Sequence, residues 1–387
     1  MADYKIFSGD SHVSEPGDLW VTRIDQEYRW RAPRIEKRER NGKLEDAFLY
    51  EGWPPHPVGV GLGAAAYVDQ PRGNGNGSGF RAEGKGYEDA RPGGWEPAER
   101  LKDQDIDGVD GEALYTTLGF RQFWIRDAGL QRACFRAYND WLSEFCSYSP
   151  NRLIGLSLIS IYDIDEARAE LRRTAKLGHH GAMIGTTPPP DCPPYYHRIY
   201  EPFWAEAQDL DMTLVWHENT GGHESRPGSG SSYWDVDNSI APLIRFHEVQ
   251  RSLGHVIVSG VLDRFPSLRL VVAEQGTDWI PFYVHRLERI RGEKTSYGNT
   301  LSMNPVEFLR RQVYFTFTKD PGIVKERQVV GVDNLLFATD YPHSASCWPR
   351  SQETVVTVTA GVTDEERRKL VRDNTLRVFN INARVSA

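Results

Sequence analysis

"IFSGDSHVSEP", residues 6–16, is a short apolar run that breaks off into Asp10-Ser11-His12 and then Glu15-Pro16. A buried strand gains little by packing an acid and an imidazole at its end. The stretch is therefore either an ordinary polar turn or a strand that hands two ligands to something. Alternate residues of a strand point to one side, so Asp10 and His12 share a face. What the rest of the chain sets opposite that face decides between the two.

Seven further runs have the same short, β-branched or aromatic character: "GEALYTT" (111–117), "RLIGLSLIS" (152–160), "GAMIGTT" (181–187), "MTLVWHE" (212–218), "LRLVVAE" (268–274), "QVYFTFT" (312–318) and "NLLFATD" (334–340). They are apolar on both faces, as parallel strands buried on both sides are. Between them lie helical patterns. Residues 130–150 carry apolar side chains at three- and four-residue steps and stop at Pro150; 163–178 open on acids and end on a basic turn plus glycine. Residues 197–211 and 363–380 read alike, and Thr363 with Glu366 fits a capping box. Eight strands alternating with helices predict a (β/α)8 TIM barrel. A doubly wound sheet would place a glycine-rich phosphate turn after its first strand, where this chain has Asp-Ser-His.

The 387 residues read as a single barrel domain, 1–387, with a long insertion after the first strand, 20–95. The insertion contains "PRGNGNGSGFRAEGKGYEDARPGG" (71–94), expected as a mobile loop, and "FLYEGWPPHPVGVGLG" (48–63), expected to pack as a cap over the barrel mouth. A second irregular segment, 218–239, follows the fifth run and falls on the same face, where long loops shape a substrate pocket. The basic-rich "RWRAPRIEKRERNGK" (29–43) is interrupted by acids and reads as a solvated helix or loop face. With a net charge of −8 and no clustered basic footprint, nucleic acid is not an expected partner. The four cysteines form no close CxxC pair, which argues against a zinc knuckle or a disulfide scaffold. The start of the chain lacks the pattern of a signal peptide and no segment is long enough to span a bilayer, so the expectation is a cytoplasmic protein with no membrane partner.

The other strand ends answer the opening question. The fifth run closes on His217, the sixth on Glu274 and the eighth on Asp340. Each alone is weak: Asp340 before Tyr341-Pro342 can begin a turn, and a lone histidine is commonly a core residue bonded to a carbonyl. Together with Asp10 and His12 they make five ligand-type side chains at the ends of four strands, which a closed barrel turns toward one axis. Two imidazoles and two or three carboxylates suit a divalent metal. Without a cation, that much acid in one mouth would repel itself.

This pattern resembles the amidohydrolase superfamily, in particular the amidohydrolase-2 branch that includes the aminocarboxymuconate-semialdehyde decarboxylase-like enzymes. The resemblance is carried by "GDSHVSEP", "VWHEN", "FPSLRLVVAEQGTDWIPFYVHRLE" and "LLFATDYPHS", and covers nearly all the chain outside 20–95. It implies one divalent metal ion held by Asp10, His12, His217 and Asp340, with zinc the default and manganese, iron or magnesium open to an oxygen-rich set. It implies that Asp340 orients a water and takes its proton, and it implies a homodimer or higher homo-oligomer. The sequence departs from the family in three places. The first strand has Asp-x-His for the usual His-x-His or Glu-x-His. Glu274 stands where decarboxylases of the branch place a histidine. The fourth run ends without the lysine of binuclear members.

Glu274 can ligate the metal or act as a base, and Glu274 or His343, three residues past Asp340, can pass a proton to a leaving group. Glu15, just before a proline, reads as a structural turn residue. Aromatics in the loops (among them Trp53, Phe120, Trp124 and Trp234) suggest an apolar or aromatic small-molecule substrate, and Arg121, Arg126, Arg226 or Arg350 is available for a carboxylate or phosphate. The missing histidine favours a metal-dependent hydrolase of an amide, ester or thioester; the alternatives are non-oxidative decarboxylation of an aromatic or enoic acid, and a metal-free barrel that only binds.

Overall fold

Eleven strands occur among the described residues of the computed structural model, which are 5–40, 42–62, 86–221, 246–290, 301–320 and 322–381. They are β1 (Ile6–His12), β2 (Arg34–Arg40), β3 (Lys43–Leu49), β4 (His56–Pro57), β5 (Val109–Tyr115), β6 (Leu153–Leu158), β7 (Gly181–Met183), β8 (Thr213–His217), β9 (Leu270–Ala273), β10 (Val313–Phe317) and β11 (Leu335–Phe337). All eight apolar runs of the sequence become parallel strands of one sheet, in the order β1-β5-β6-β7-β8-β9-β10-β11. The sheet curls until its edges meet. Asp340 N donates to Asp10 O (3.0 Å) and His12 N to Tyr341 O (2.6 Å), which ties the end of β1 to the segment after β11. The architecture is the expected (β/α)8 barrel.

Side chains alternate along the strands with period two. Ala182, Leu214, Trp216, Leu270, Val272, Phe315 and Phe337 pack outward against helix residues such as Leu171, Trp204, Leu253, Val284 and Phe308. Met183, Val215, Val271, Tyr314 and Leu336 belong to the other set and fill the space between strands. His217 continues the second set past Val215, which is why it ends up in the barrel throat. The helices end as the local chemistry demands. Asp163 caps Ile164–Lys176 by accepting from Asp165 N and Glu166 N, and Thr363 and Glu366 form a reciprocal capping box at Asp364–Arg368.

The insertion carries the three-stranded antiparallel sheet β2-β3-β4. Residues 29–43, expected as a solvated helix or loop face, instead include β2. Its face is solvated, but its acids and bases alternate along an edge strand and pair locally: Lys37 with Asp46 at 3.1 Å, Arg40 with Glu45 at 2.8 Å, Arg38 with Glu36 at 2.5 Å. With so few apolar residues in the run, hydrophobic period could not reveal the strand. Of the loop expected at 71–94, residues 71–85 lie outside the described residues, as do 222–239 of the second irregular segment. Residues after 85 form the 3-10 turns Tyr87–Asp89 and Pro92–Gly94. The insertion reaches the loop after β5: His56 Nε2 lies 3.4 Å from the Arg121 guanidinium, and a Cβ on Gly61 would fall 2.5 Å from Thr117 Cγ2. Among the described residues no helix is long and apolar enough to cross a membrane, and the four cysteines are free thiols.

Candidate metal centre

β1 delivers Asp10 and His12, β8 delivers His217, and the turns after β9 and β11 deliver Glu274, Asp340 and His343. In the register of the barrel His217 stands opposite Ala273, so His217 and Glu274 leave adjacent strands side by side. The structure brings the six side chains together. His12 Nε2 lies 3.4 Å from Asp10 Oδ1 and 3.3 Å from Asp340 Oδ1. His217 Nε2 lies 3.5 Å from Asp10 Oδ2 and 3.3 Å from Glu274 Oε2. His343 Nδ1 lies 3.1 Å from Asp340 Oδ1, and its ring stacks on that of His12 at 3.8 Å. Glu274 and Asp340 both take left-handed backbone, φ 54° each. Such strain in a side chain other than glycine persists where surrounding structure enforces it, and it gathers at functional sites. At Glu274 it breaks the alternation that would turn the carboxylate away from the throat.

The tautomers follow from the backbone. His12 Nδ1 meets Thr116 O at 2.8 Å and His217 Nδ1 meets Glu218 O at 2.7 Å. A carbonyl only accepts, so both Nδ1 atoms carry a proton, and in the neutral ring it is Nε2 that presents the lone pair. Those two nitrogens and Asp10 Oδ1 are buried without a hydrogen-bond partner. Three acceptor atoms facing one another at the end of the barrel repel, and a cation would resolve them. Ligating histidines characteristically commit the second ring nitrogen to a carbonyl or carboxylate, as these do. Two ligand sets have donor atoms mutually within 4.8 Å: Asp10, His12 and His217; and His12, Glu274, Asp340 and His343. The residues present fit a divalent cation.

Burial, with the neighbouring His343 charge, pushes the His12 imidazole down to about 4, against the pull of Asp340 and Asp10. It is thus neutral and free to ligate at ordinary pH. Burial pushes the Asp340 carboxyl up, but His343 and His12 together prevail and hold it below the ordinary carboxylate range.

Several residues around the centre were not legible as parts of it. Thr117 Oγ1 lies 2.9 Å from His343 Nε2, and the Phe120 ring stacks on His217 at 4.4 Å. Glu15, read as a turn residue, is fully buried and bonds the loop after β5. Burial pushes its carboxyl up while those donors pull it back. Of the arginines available for an anionic group, Arg126 and Arg350 are exposed. Arg121 lies over the Trp124 ring at 4.9 Å, and Trp124 packs on Trp53 at 4.5 Å, forming a half-buried aromatic wall beside the loop. Arg226 and Trp234 lie outside the described residues.

A closed parallel barrel with imidazoles and carboxylates gathered at the C-terminal ends of its strands defines a class: TIM barrels with a candidate metal centre in the mouth. Within that class the chain belongs to the Amidohydrolase family, whose model matches residues 53–381. It is similar to gamma-resorcylate decarboxylase of Rhizobium radiobacter, 26% identical over 302 residues, covering 74% of this chain and 87% of the relative. Among solved structures it is similar to an amidohydrolase of Mycobacterium avium subsp. paratuberculosis K-10, with a TM-score of 0.75 and 20% identity over 98% of this chain and 100% of the other. A dihydroxybenzoic acid decarboxylase of Polaromonas sp. JS666, solved with bound manganese and the inhibitor 2-nitroresorcinol, aligns with a TM-score of 0.60 and 21% identity over 73% and 85%.

Proposed function

We propose that the protein is a metal-dependent, non-oxidative decarboxylase of a small aromatic or enoic acid. The observation that carries the metal-dependent part is the set of buried, partnerless Asp10 Oδ1, His12 Nε2 and His217 Nε2, with the Asp340 carboxylate 3.3 Å from His12 Nε2. Asp10, His12, His217 and Asp340 hold the ion, and Glu274 faces the same space from the His217 side. Decarboxylase relatives support carbon–carbon cleavage over the hydrolysis expected from the sequence. An oxygen-rich donor set and a manganese-bearing relative support manganese in place of the expected zinc. When bound, the ion supplies Lewis-acid polarisation of substrate oxygens.

The chain's own residues supply the proton. Loss of carbon dioxide from an activated ring requires a proton on the carbon that bears the carboxylate. The electrons of the broken carbon–carbon bond then return to the ring. His343 is the proton donor, the Asp340 carboxylate 3.1 Å from its Nδ1 orients it, and Thr117 holds its far side. The half-buried wall of Trp53 and Trp124 offers an apolar face to an aromatic acid.

Hydrolysis remains the second reading on one observation: a glutamate at 274, which offers no cationic imidazole to a substrate carboxylate. The test is product analysis with manganese-loaded protein. Hydroxybenzoates such as 2,6-dihydroxybenzoate should release carbon dioxide. Release of alcohol, amine or thiol from matched esters, amides and thioesters, with no carbon dioxide from any acid, would overturn the decarboxylase reading in favour of the hydrolase.

A further inference from the structure

We propose that Glu15 is a positioning residue for the metal centre: one buried carboxylate ties down the loop 116–120, and that loop orients all three imidazoles of the site. The inference rests on the reading that His12, His217 and Asp340 hold a divalent cation.

The loop touches each ring by a different means. Thr116 O accepts from His12 Nδ1 at 2.8 Å, which fixes the tautomer and the ring plane. Thr117 Oγ1 bonds His343 Nε2 at 2.9 Å. Phe120 stacks on His217 at 4.4 Å with 22° between planes, and meets His12 edge-on at 5.6 Å. A shift of this one loop therefore moves two donor nitrogens and the histidine paired with Asp340.

The loop lies past the end of β5, so sheet pairing does not hold it. Glu15 does. Its Oε1 accepts from Thr117 N (3.2 Å), Gly119 N (3.1 Å) and the Thr116 hydroxyl, and its Oε2 from Leu118 N (2.9 Å). These are the first amides of the 3-10 turn Leu118–Trp124, which have no partner within the turn. Capping such a turn takes one acceptor; here one carboxylate receives four donors and has no solvent exposure. Glu15 follows His12 by three residues, just past the end of β1, so the segment that supplies two ligands also supplies the strut for the loop that orients them.

The test uses the full-length protein, stripped of metal and titrated with Co2+. In Glu15→Gln one acceptor oxygen becomes an amide that must face backbone N–H groups. It should bind Co2+ about ten-fold more weakly, the ordinary scale for losing an outer support of a ligand, with shifted visible absorption bands. Gly119→Ala disturbs the same loop with no change of charge, because its Cβ would fall 2.2 Å from Thr116 Oγ1; it should change affinity and bands in the same direction. A purely structural role would lower the melting temperature and leave both readouts at wild type, and that result overturns the proposal. If Glu15→Gln does not fold, Gly119→Ala decides on the same criterion. Wild-type protein that binds no Co2+ overturns the metal reading itself, and the proposal with it.

Discussion

Two buried polar clusters lie within one barrel, a strand's width apart, and they are built on opposite terms. In the first, Glu112 accepts from Arg100 Nε (2.7 Å), Gln104 Nε2 (2.8 Å), Ser11 Oγ (2.9 Å) and Thr339 Oγ1 (3.3 Å). Arg100 also donates from Nη1 to His12 O (2.7 Å), and its guanidinium lies 4.4 Å over the Tyr341 ring. Its cation and anion balance. In the second, Asp10, Asp340 and Glu274 face two imidazoles whose Nδ1–H groups are turned to the backbone. Both clusters are largely buried, so burial is not what marks a ligand site. The marker is charge: the first sets a guanidinium against its carboxylate, although Arg100 Nη2 and Gln104 Oε1 keep no partner, whereas the second sets carboxylates beside imidazole nitrogens and would be balanced by a cation from outside the chain.

The largest expected effect breaks the balanced cluster. Arg100→Met leaves Glu112 buried and uncompensated, and should destabilise the protein by about 3–5 kcal/mol. Urea unfolding of the metal-free protein measures it. A cost near that of an exposed pair, about 1 kcal/mol or less, would mean that pairing does not hold this region.

Next comes completion of the unbalanced cluster. A divalent ion that binds only the folded state, at a hundred times its dissociation constant, should add about 2.7 kcal/mol. Melting of chelator-treated protein with and without Mn2+ reads this as a rise in Tm. His217→Ala should abolish the rise and the catalytic activity together. An unmoved melting curve for wild type would place the two clusters in the same category and remove the contrast.

Asp10→Asn sharpens the difference, because its two effects have opposite signs. In the metal-free protein the Asp10 carboxylate faces the lone pair of His12 Nε2 at 3.4 Å; an amide can donate there. The variant should be more stable than wild type without metal, by about 1–2 kcal/mol, and bind Mn2+ more weakly. No conservative change to Arg100 or Glu112 should show that reversal. A loss of metal-free stability in Asp10→Asn would show that the bond from the Thr316 hydroxyl to Asp10 Oδ2, at 3.4 Å, outweighs the repulsion between Asp10 and His12.

The two clusters also differ in how far the sequence reveals them. Asp10, His12, His217, Glu274 and Asp340 are legible because a barrel sends the C-terminal ends of its strands to one place, so position along a strand predicts position in space. Arg100 and Glu112 are not: one lies on the helix Pro97–Asp107 and the other in the middle of β5, and nothing periodic links them to Ser11 or Thr339. Glu15 precedes Pro16 and reads as a turn, yet its partners lie 101 to 104 residues away. The barrel is written in local pattern, whereas the supports of the site are through-space bonds from loops whose path is set only in the folded state. Decarboxylation and hydrolysis draw on the same carboxylates and imidazoles, so ligand-type residues alone do not separate them.

The smallest effect tests whether stability and metal binding are separable at all. Thr363 N donates to Glu366 Oε2 at 2.9 Å and Glu366 N to Thr363 Oγ1 at 3.2 Å, on an exposed helix start. Thr363→Ala should cost about 1 kcal/mol, less than either buried cluster. Because the cap shares no partner with the centre, the two contributions should add: the variant melts earlier, yet Mn2+ raises its Tm by as much as it raises that of wild type. A smaller rise would mean that the metal-induced shift reports general stiffness of the barrel, and the stabilisation expected from the ion could not be assigned to Asp10, His12, His217 and Asp340.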